Sequence, residues 1–476
     1  MDWQVWLSYG VTIGIPLVML FIVPRNREPG SAIAWLLIIA LLPLVGLVIF
    51  WILGNPKLPR RRRRKQAEVD EILRAAVRNA REHGEVPDVG IHQDLAQLME
   101  RLGGLPPTQG NAVEVYEAYH HPLEAMVDAV NAAQRYVHVQ YYILAMDATT
   151  EPVIAALERA AKRGVAVRVL FDHIGSRAYP RHAQMLRRFD EANIRWRRML
   201  PVLPWRGAFA RPDLRNHRKI VVVDGHTAFA GSQNLIDRSY LVPKNRRKGI
   251  QYQEVVFQVQ GPAAASLDVV FRTDWMAETD EHLDEVIETA TPGSVICQVL
   301  PSGPAHEHEN NLIVFNQLAY RAKQRLTLIN PYFVPDSSFV AALTTAAQRG
   351  VRVQLITCAE GDHKLLDHAQ RSYYERLLRA GVHIALYPAP ELLHSKTLTI
   401  DDDLAIIGSS NLDMRSFHLN MEVTTLFYGA QVNQAVRAIE TSYLAKCTEI
   451  ELGEWMRRPL PGQVLDSVAR LTAHLQ

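Results

Sequence analysis

The chain has 476 residues, 48% of them apolar and 21% charged, with a formal net charge of +2. That length exceeds one ordinary domain and implies two or three units with sizeable cores. Seven of the bases (Lys57, Arg60 to Arg64, Lys65) fall together without an acid, so the remainder sums to −5 and does not read as a nucleic-acid binder. Cys297, Cys358 and Cys447 are too few and too scattered for a disulfide framework or a zinc site, and suit a reducing cytosol.

From the N-terminus, residues 5–23 and 31–54 are uncharged. A helix needs about 20 mostly apolar residues to cross the hydrocarbon layer. The first stretch is marginal, and the second is ample despite Pro43. Pro24 to Gly30 between them is a short polar turn, so residues 1–56 predict a two-span membrane hairpin. Trp3, Trp6, Trp35 and Trp51 sit near the span ends, where indoles favour the headgroup level. A signal peptide is the alternative, but Met1 to Gln4 is not basic and no cleavage site follows. The basic run directly after the second span marks the cytoplasmic side, outweighing Arg25 and Arg27. Both termini are therefore expected inside, with the run also positioned to meet anionic headgroups.

Residues 57–108 read as this basic segment followed by a helical connector, with helical spacing over Glu68 to Glu82 and a break at Gly103 to Gly110. Strands and helices then alternate: strand Tyr136 to Leu144, helix Pro152 to Arg163, strand Val165 to Asp172, helix His182 to Ala192, strand Ile194 to Met199. Asp268 to Trp275 closes the first lobe, residues 109–277. Residues 278–303, acidic and then rich in Pro, Gly and Ser, read as a linker. The second lobe, residues 304–476, repeats the order: helix Asn311 to Lys323, strand Leu326 to Val334, helix Ser337 to Arg349, strand Val351 to Thr357, helix Asp367 to Ala380, strand Val382 to Tyr387. Arg163 to Leu170 matches Arg349 to Ile356, and Gln134-Arg135 matches Gln324-Arg325. The expectation is an α/β fold of two duplicated lobes packed about a pseudo-twofold, each with a mostly parallel sheet covered on both faces.

The most specific feature is another repeat. His217-Arg-Lys219, Asp224 and Gly231-Ser-Gln-Asn234 recur at the same spacings as His394-Ser-Lys396, Asp401 and Gly408-Ser-Ser-Asn411. His217 to Val223 reads as a buried strand, Asp224-Gly225 as a turn and Thr227 to Ala230 as the returning strand. On a strand, residues i and i+2 share a face, so His217 and Lys219 point together, as do His394 and Lys396. Asp224 and Asp401 fall at the turn, which suggests that they anchor the hairpin rather than move protons. Gly231 and Gly408 allow close backbone approach to a ligand, and Ser232, Asn234, Ser409 and Asn411 offer hydrogen bonds suited to phosphate oxygens.

Two histidines and two lysines can transfer a phosphoryl group without metal or cofactor. One imidazole attacks phosphorus while the other protonates the departing alcohol and then activates the acceptor. Lys219 and Lys396 stabilise the equatorial oxygens. Each histidine needs an acceptor on its other ring nitrogen, and Glu254 and Glu422, each downstream of its own motif, are candidates. The near-symmetry leaves open which histidine attacks. His173, His306, His308 and His363 read as loop or surface residues.

A duplicated HxKxxxxD followed by GSxN resembles the signature of the phospholipase D superfamily. More narrowly, Arg27 to Trp35 continuing to Leu42-Pro43 and Gly46, Leu214 to Lys219, Asn330 to Pro335, and His394 through Asn411 to Ser416 resemble the bacterial cardiolipin synthase family. The resemblance implies an inner-membrane enzyme with two spans and cytoplasmic lobes. It would join two phosphatidylglycerols into cardiolipin and glycerol through a phosphatidyl-histidine, with His217 as nucleophile and His394 as acid and base. It also implies Glu254 and Glu422 as histidine partners, although related sequences can carry Asp at the first. The expected partners are phosphatidylglycerol, other anionic phospholipids and the bilayer, with no nucleic acid. Competing readings are a hydrolase releasing phosphatidic acid, a membrane-anchored nuclease, and a scaffold with idle motifs.

Overall fold

The computed structural model of the protein describes residues 10–25, 29–54, 58, 60–82, 84–203, 208–285 and 290–471. The chain divides into two compact units, 1–57 with 211–213, and 58–210 with 214–476.

In the N-terminal unit a π-helical turn, Gly10–Gly14, leads into the helix Ile15–Ile22. Helices Pro29–Leu41 and Pro43–Leu53 follow. The latter two are not one rod. Pro43 has no N–H to continue the ladder, and Leu42 leaves the helical region at φ −134° and ψ 71°. The second helix folds back on the first: the Trp35 and Phe50 rings meet edge to face at 5.3 Å, and a Cβ on Gly46 would lie 2.9 Å from the Ile38 carbonyl oxygen. Apolar side chains stay outward, with Phe21 72%, Leu41 77% and Trp51 87% exposed. Among the described residues no helix is long and apolar enough to cross a membrane, so the expected span 31–54 is two packed short helices. Residues 5–9 of the other expected span, with Trp3 and Trp6, lie outside the described residues.

The basic run opens the helix Arg60–Glu82. Two of its members are engaged within the protein: Arg62 pairs with Glu278 at 2.8 Å, and Lys65 pairs with Asp280 while donating to the Met276 carbonyl at 3.0 Å.

The larger unit is built on fifteen strands: β1 (Thr108–Tyr116), β2 (Tyr136–Tyr141), β3 (Ala166–Asp172), β4 (Arg195–Met199), β5 (Ile220–Val223), β6 (Thr227–Gly231), β7 (Val256–Gln260), β8 (Val295–Ser302), β9 (Arg325–Ile329), β10 (Arg352–Cys358), β11 (His383–Tyr387), β12 (Thr397–Ile400), β13 (Leu404–Gly408), β14 (Glu422–Tyr428) and β15 (Thr448–Glu449). They run in the order β15-β11-β10-β9-β12-β13-β14-β8-β1-β7-β6-β5-β2-β3-β4. Outward from the β8–β1 junction, 1-7-6-5-2-3-4 is repeated as 8-14-13-12-9-10-11, so the duplication is topological. The sheet is mixed rather than mostly parallel. Only β2–β3–β4 and β9–β10–β11 pair in parallel, through helical crossovers, whereas β5–β6 and β12–β13 are hairpins whose tight turns force antiparallel pairing. β8 lies inside the segment expected as a linker and is the seam itself, pairing with β1 and β14.

Alternation along the strands sorts the core into layers. Val221 and Val223 of β5 face outward onto Val153, Leu157 and Phe189 of the first half's helices, while Ile220 and Val222 face inward. The inner cluster joins both halves, with Phe257 and Phe427 edge to face at 5.1 Å. It takes in the helices Pro262–Thr279 and Ala430–Leu444. The second half's outer face is covered by Asn310–Arg321, Ser337–Gln348 and Lys364–Arg379.

Candidate active site

The two histidines sit just before β5 and β12, on extended chain rather than within the strands. Each of these segments lies along the opposite half. The His217 N–H donates to the Met421 carbonyl at 2.8 Å, and the Met421 N–H donates to the Arg215 carbonyl at 2.9 Å. In the other copy Glu391–Leu393 pairs in parallel with Gln251–Gln253, and the His394 N–H donates to the Gln253 carbonyl at 2.7 Å. The residue following each partner segment is a glutamate. His217 Nδ1 therefore meets Glu422 at 3.1 Å, and His394 Nδ1 meets Glu254 at 2.8 Å. The pairing is crossed: each imidazole is held by the glutamate of the other half, not by the one downstream of its own motif. With Nδ1 committed, Nε2 of each ring is the atom left for chemistry.

His217 and His394 both line one cleft of about 1110 Å³. Lys219 and Lys396 lie beneath, 2% and 3% exposed, each Nζ turned back to donate to the carbonyl of its own histidine. Burial pushes Lys219 down to about 7 and Lys396 to about 8, against the upward pull of Glu422 and Glu254. Burial also lowers both histidines, His394 to about 4, with the lysines adding to the effect and the glutamates opposing it. Both imidazoles are thus neutral near pH 7. Burial alone would raise Glu254 and Glu422, but their histidine, lysine and serine neighbours hold them below the usual carboxylate range.

Several other expected residues are engaged by the protein's own backbone and side chains. Asp224 and Asp401, grouped with the catalytic set by the motif, are turn anchors. Asp224 accepts from the backbone N–H of Gln134, Arg135 and Tyr136, and Asp401 from those of Lys323, Gln324 and Arg325. Ser232 and Ser409 donate to Glu254 and Glu422 and accept from the N–H of Val255 and Val423, so they fix the glutamates instead of facing phosphate. Gly231, at φ 149°, lies tight against the neighbouring segment, where a Cβ would be 2.4 Å from the Val255 carbonyl oxygen. Asn234 and Asn411 do line the cleft; Asn234 accepts from the Ile143 N–H and donates to the Tyr240 hydroxyl. His306, expected in a loop or at the surface, lies in a loop and is half-buried, and desolvation lowers it to about 3.

The rest of the cleft wall carries no motif. The Tyr142 ring packs on His217 at 4.9 Å, and Tyr240 and Tyr252 stand edge-on to His394 at 5.8 and 5.7 Å. Arg215, Tyr332, Asp362, Asp413 and Arg415 also line it. Arg215, Tyr332, Asp413 and Arg415 lie in stretches that the sequence marked by resemblance, whereas Tyr240, Tyr252 and Asp362 do not. Within Asn330 to Pro335, Asn330 accepts from the Leu412 N–H and donates to the Ser410 carbonyl, bracing the second GSxN loop.

Two topologically equivalent α/β halves sharing one cleft, with a motif histidine from each, define a duplicated phospholipase-D-like protein. The family model described as cardiolipin synthase, PLD-like domain, matches residues 126–275 and 315–441, and one described as phospholipase D-nuclease N-terminal matches 14–55. Cardiolipin synthase A of Edwardsiella ictaluri (strain 93-146) is 31% identical over 481 residues, covering 97% of this chain and 96% of the relative. Its counterpart in Pectobacterium carotovorum subsp. carotovorum (strain PC1) is 30% identical over 465 residues, covering 95% and 94%. The chain belongs to the cardiolipin synthase family of phospholipase D-type enzymes. Among solved structures, the phosphatidylserine synthase of Haemophilus influenzae Rd KW20 shares the fold, with a TM-score of 0.60 at 14% identity over 80% of this chain and 100% of that one.

Proposed function

We propose that the chain is a membrane phosphatidyltransferase that joins two phosphatidylglycerols into cardiolipin and releases glycerol. The observation that carries this reading is the pair of imidazoles on one cleft, each oriented through Nδ1 by a glutamate of the opposite half. His217 Nε2 attacks the phosphorus of the first lipid, and the bond to its glycerol oxygen breaks as His394 supplies that oxygen with a proton. The arriving phosphodiester anion raises His394 toward the protonated form that this step needs. A hydroxyl of the second lipid then yields its proton to His394, and its oxygen displaces His217 from phosphorus. The buried Lys219 and Lys396 gain charge as the anion enters and stabilise it through the transition state.

Attachment to the bacterial inner membrane through the apolar N-terminal unit, with the lobes at 109–277 and 304–476 cytoplasmic, fits the uncharged stretches and the basic run after them. Two full spans require the break at Leu42 to straighten in the bilayer. In that case cysteines placed at Ser31 and at Glu68 label from opposite sides of sealed vesicles; labelling of both from one side refutes the two-span topology.

Labelled phosphatidylglycerol given to the purified protein tests the reaction. Cardiolipin and glycerol in equal amounts are expected. Phosphatidic acid alone would make the enzyme a hydrolase, and turnover of oligonucleotide but not lipid would make it a nuclease.

A further inference from the structure

The cleft is chemically lopsided. Beside His217 the wall carries two guanidiniums, Arg215 and Arg415, near Tyr142, with the carboxylates of Asp172 and Asp413 beside them. Beside His394 it presents phenols that end on a carboxylate, with His363 and Lys364 following that carboxylate in the chain. Tyr252, whose ring touches that of His394, donates its hydroxyl to Asp362 Oδ2 at 2.9 Å. Tyr332 donates to Asp362 Oδ1 at 2.7 Å. Asp362 sits in the loop after β10, with its side chain 23% exposed toward the cleft.

A carboxylate has about four lone-pair positions, so one phenol on each oxygen, with the exposed His363 Nε2 3.8 Å from Oδ2, still leaves acceptor capacity that a hydrogen-bond donor can use. A phosphodiester is an acceptor with negative charge and offers this carboxylate no hydrogen bond. A polyol is neutral and donates. The equivalent strand in the first half ends on Asp172, whose carboxylate is turned inward to cap the helix His173–Arg177 and pair with Arg215, and Asp413 on that side accepts from the Ser416 N–H; neither is clamped by two phenols.

We propose that Asp362, clamped by Tyr252 and Tyr332, binds the free hydroxyls of the glycerol headgroup at the His394 side of the cleft. The inference rests on the transferase reading and adds to it the place where alcohol is recognised. The same subsite serves twice. It holds the departing glycerol while its ester oxygen takes a proton from His394, and then the headgroup of the second lipid while its hydroxyl returns one. Water needs no such site, so Asp362 sets the choice between transfer and hydrolysis.

The test compares the wild-type chain with Asp362→Asn, which keeps an acceptor for one phenol but loses the charge, on two donors: phosphatidylglycerol and phosphatidylethanol, whose leaving alcohol has no further hydroxyl. Loss of hydrogen bonds to a charged group is worth about tenfold to a hundredfold. Turnover of phosphatidylglycerol and the ratio of cardiolipin to phosphatidic acid should fall by that factor, while cleavage of phosphatidylethanol stays at the wild-type rate. Tyr332→Phe, which leaves the carboxylate in place, should fall between the two. An unchanged product ratio overturns the proposal, as does an equal loss on both donors, which would make Asp362 a scaffold for its loop. Absence of cardiolipin from the wild-type protein would instead remove the transferase reading itself.

Discussion

Around His217 the cleft is lined by Tyr142, Arg215, Arg415 and Asp413, whereas around His394 it is lined by Tyr240, Tyr252, Tyr332 and Asp362. Behind these walls the two copies are nearly the same. In each, a serine holds a glutamate, the glutamate holds the other half's imidazole, and a buried lysine donates to a histidine carbonyl. The difference teaches where divergence is tolerated. The parts that orient the rings are tied into backbone pairing on both sides, while the parts that face the cleft come from the connections between strands, with Tyr142 after β2, Arg215 before β5, Tyr332 after β9 and Asp362 after β10.

The comparison breaks most severely if the two imidazoles are not both required. His217→Ala and His394→Ala should each lower cardiolipin formation by roughly a thousandfold or more, since residues acting as a unit are not partly dispensable. Only His394→Ala should still form a covalent phosphatidyl-enzyme with a donor whose leaving group needs no proton. Next in size is the crossed pairing. Glu422→Gln should impair the covalent step of His217 and Glu254→Gln the proton transfers of His394, each by about a hundredfold. Single-turnover trapping separates the two, and the opposite assignment would mean that each glutamate serves its own half.

A smaller effect is expected from acid. The His394 value of about 4 lies below the ordinary 6.5 because burial disfavours the charged ring. The folded chain therefore takes up that proton later than the unfolded chain. The contribution to stability is complete above about pH 6.5 and declines as pH falls toward about 4. His394→Gln lacks this component, so the gap in Tm between the two proteins should narrow over that window; a constant gap contradicts the shift. Smallest for catalysis is Asp224→Asn, which weakens three backbone contacts at the β5–β6 turn. A loss of about 1–3 kcal/mol in stability is expected, with kcat of the folded fraction unchanged.

Repetition made the two halves legible, because duplicated spacing survives in the sequence whatever the packing. Parallel crossovers were legible in part: β2–β3–β4 alternate with helices in the expected way, but the hairpins beside them invert the direction of pairing. The partners of the histidines were legible as residue types and not as pairs. Glu422 lies 205 residues from His217, and only the exchange of segments between halves brings them together. Hydropathy marked the apolar stretch 31–54 but, being an average, did not register that Pro43 divides it into helices that fold together. Asp362 belongs to no repeat, and its surroundings emerge only once Tyr252 and Tyr332, from different halves, converge on it.

The exchange between halves also has a genetic consequence. A chain damaged at His217 and another damaged at His394 each retain one sound ring, yet that ring is steadied by a carboxylate from across the seam, and the fifteen strands run unbroken through it. Mixing the two defective chains cannot restore a working pair unless they trade entire halves while folding. Complementation between such alleles would therefore report domain swapping, not cooperation between neighbouring molecules.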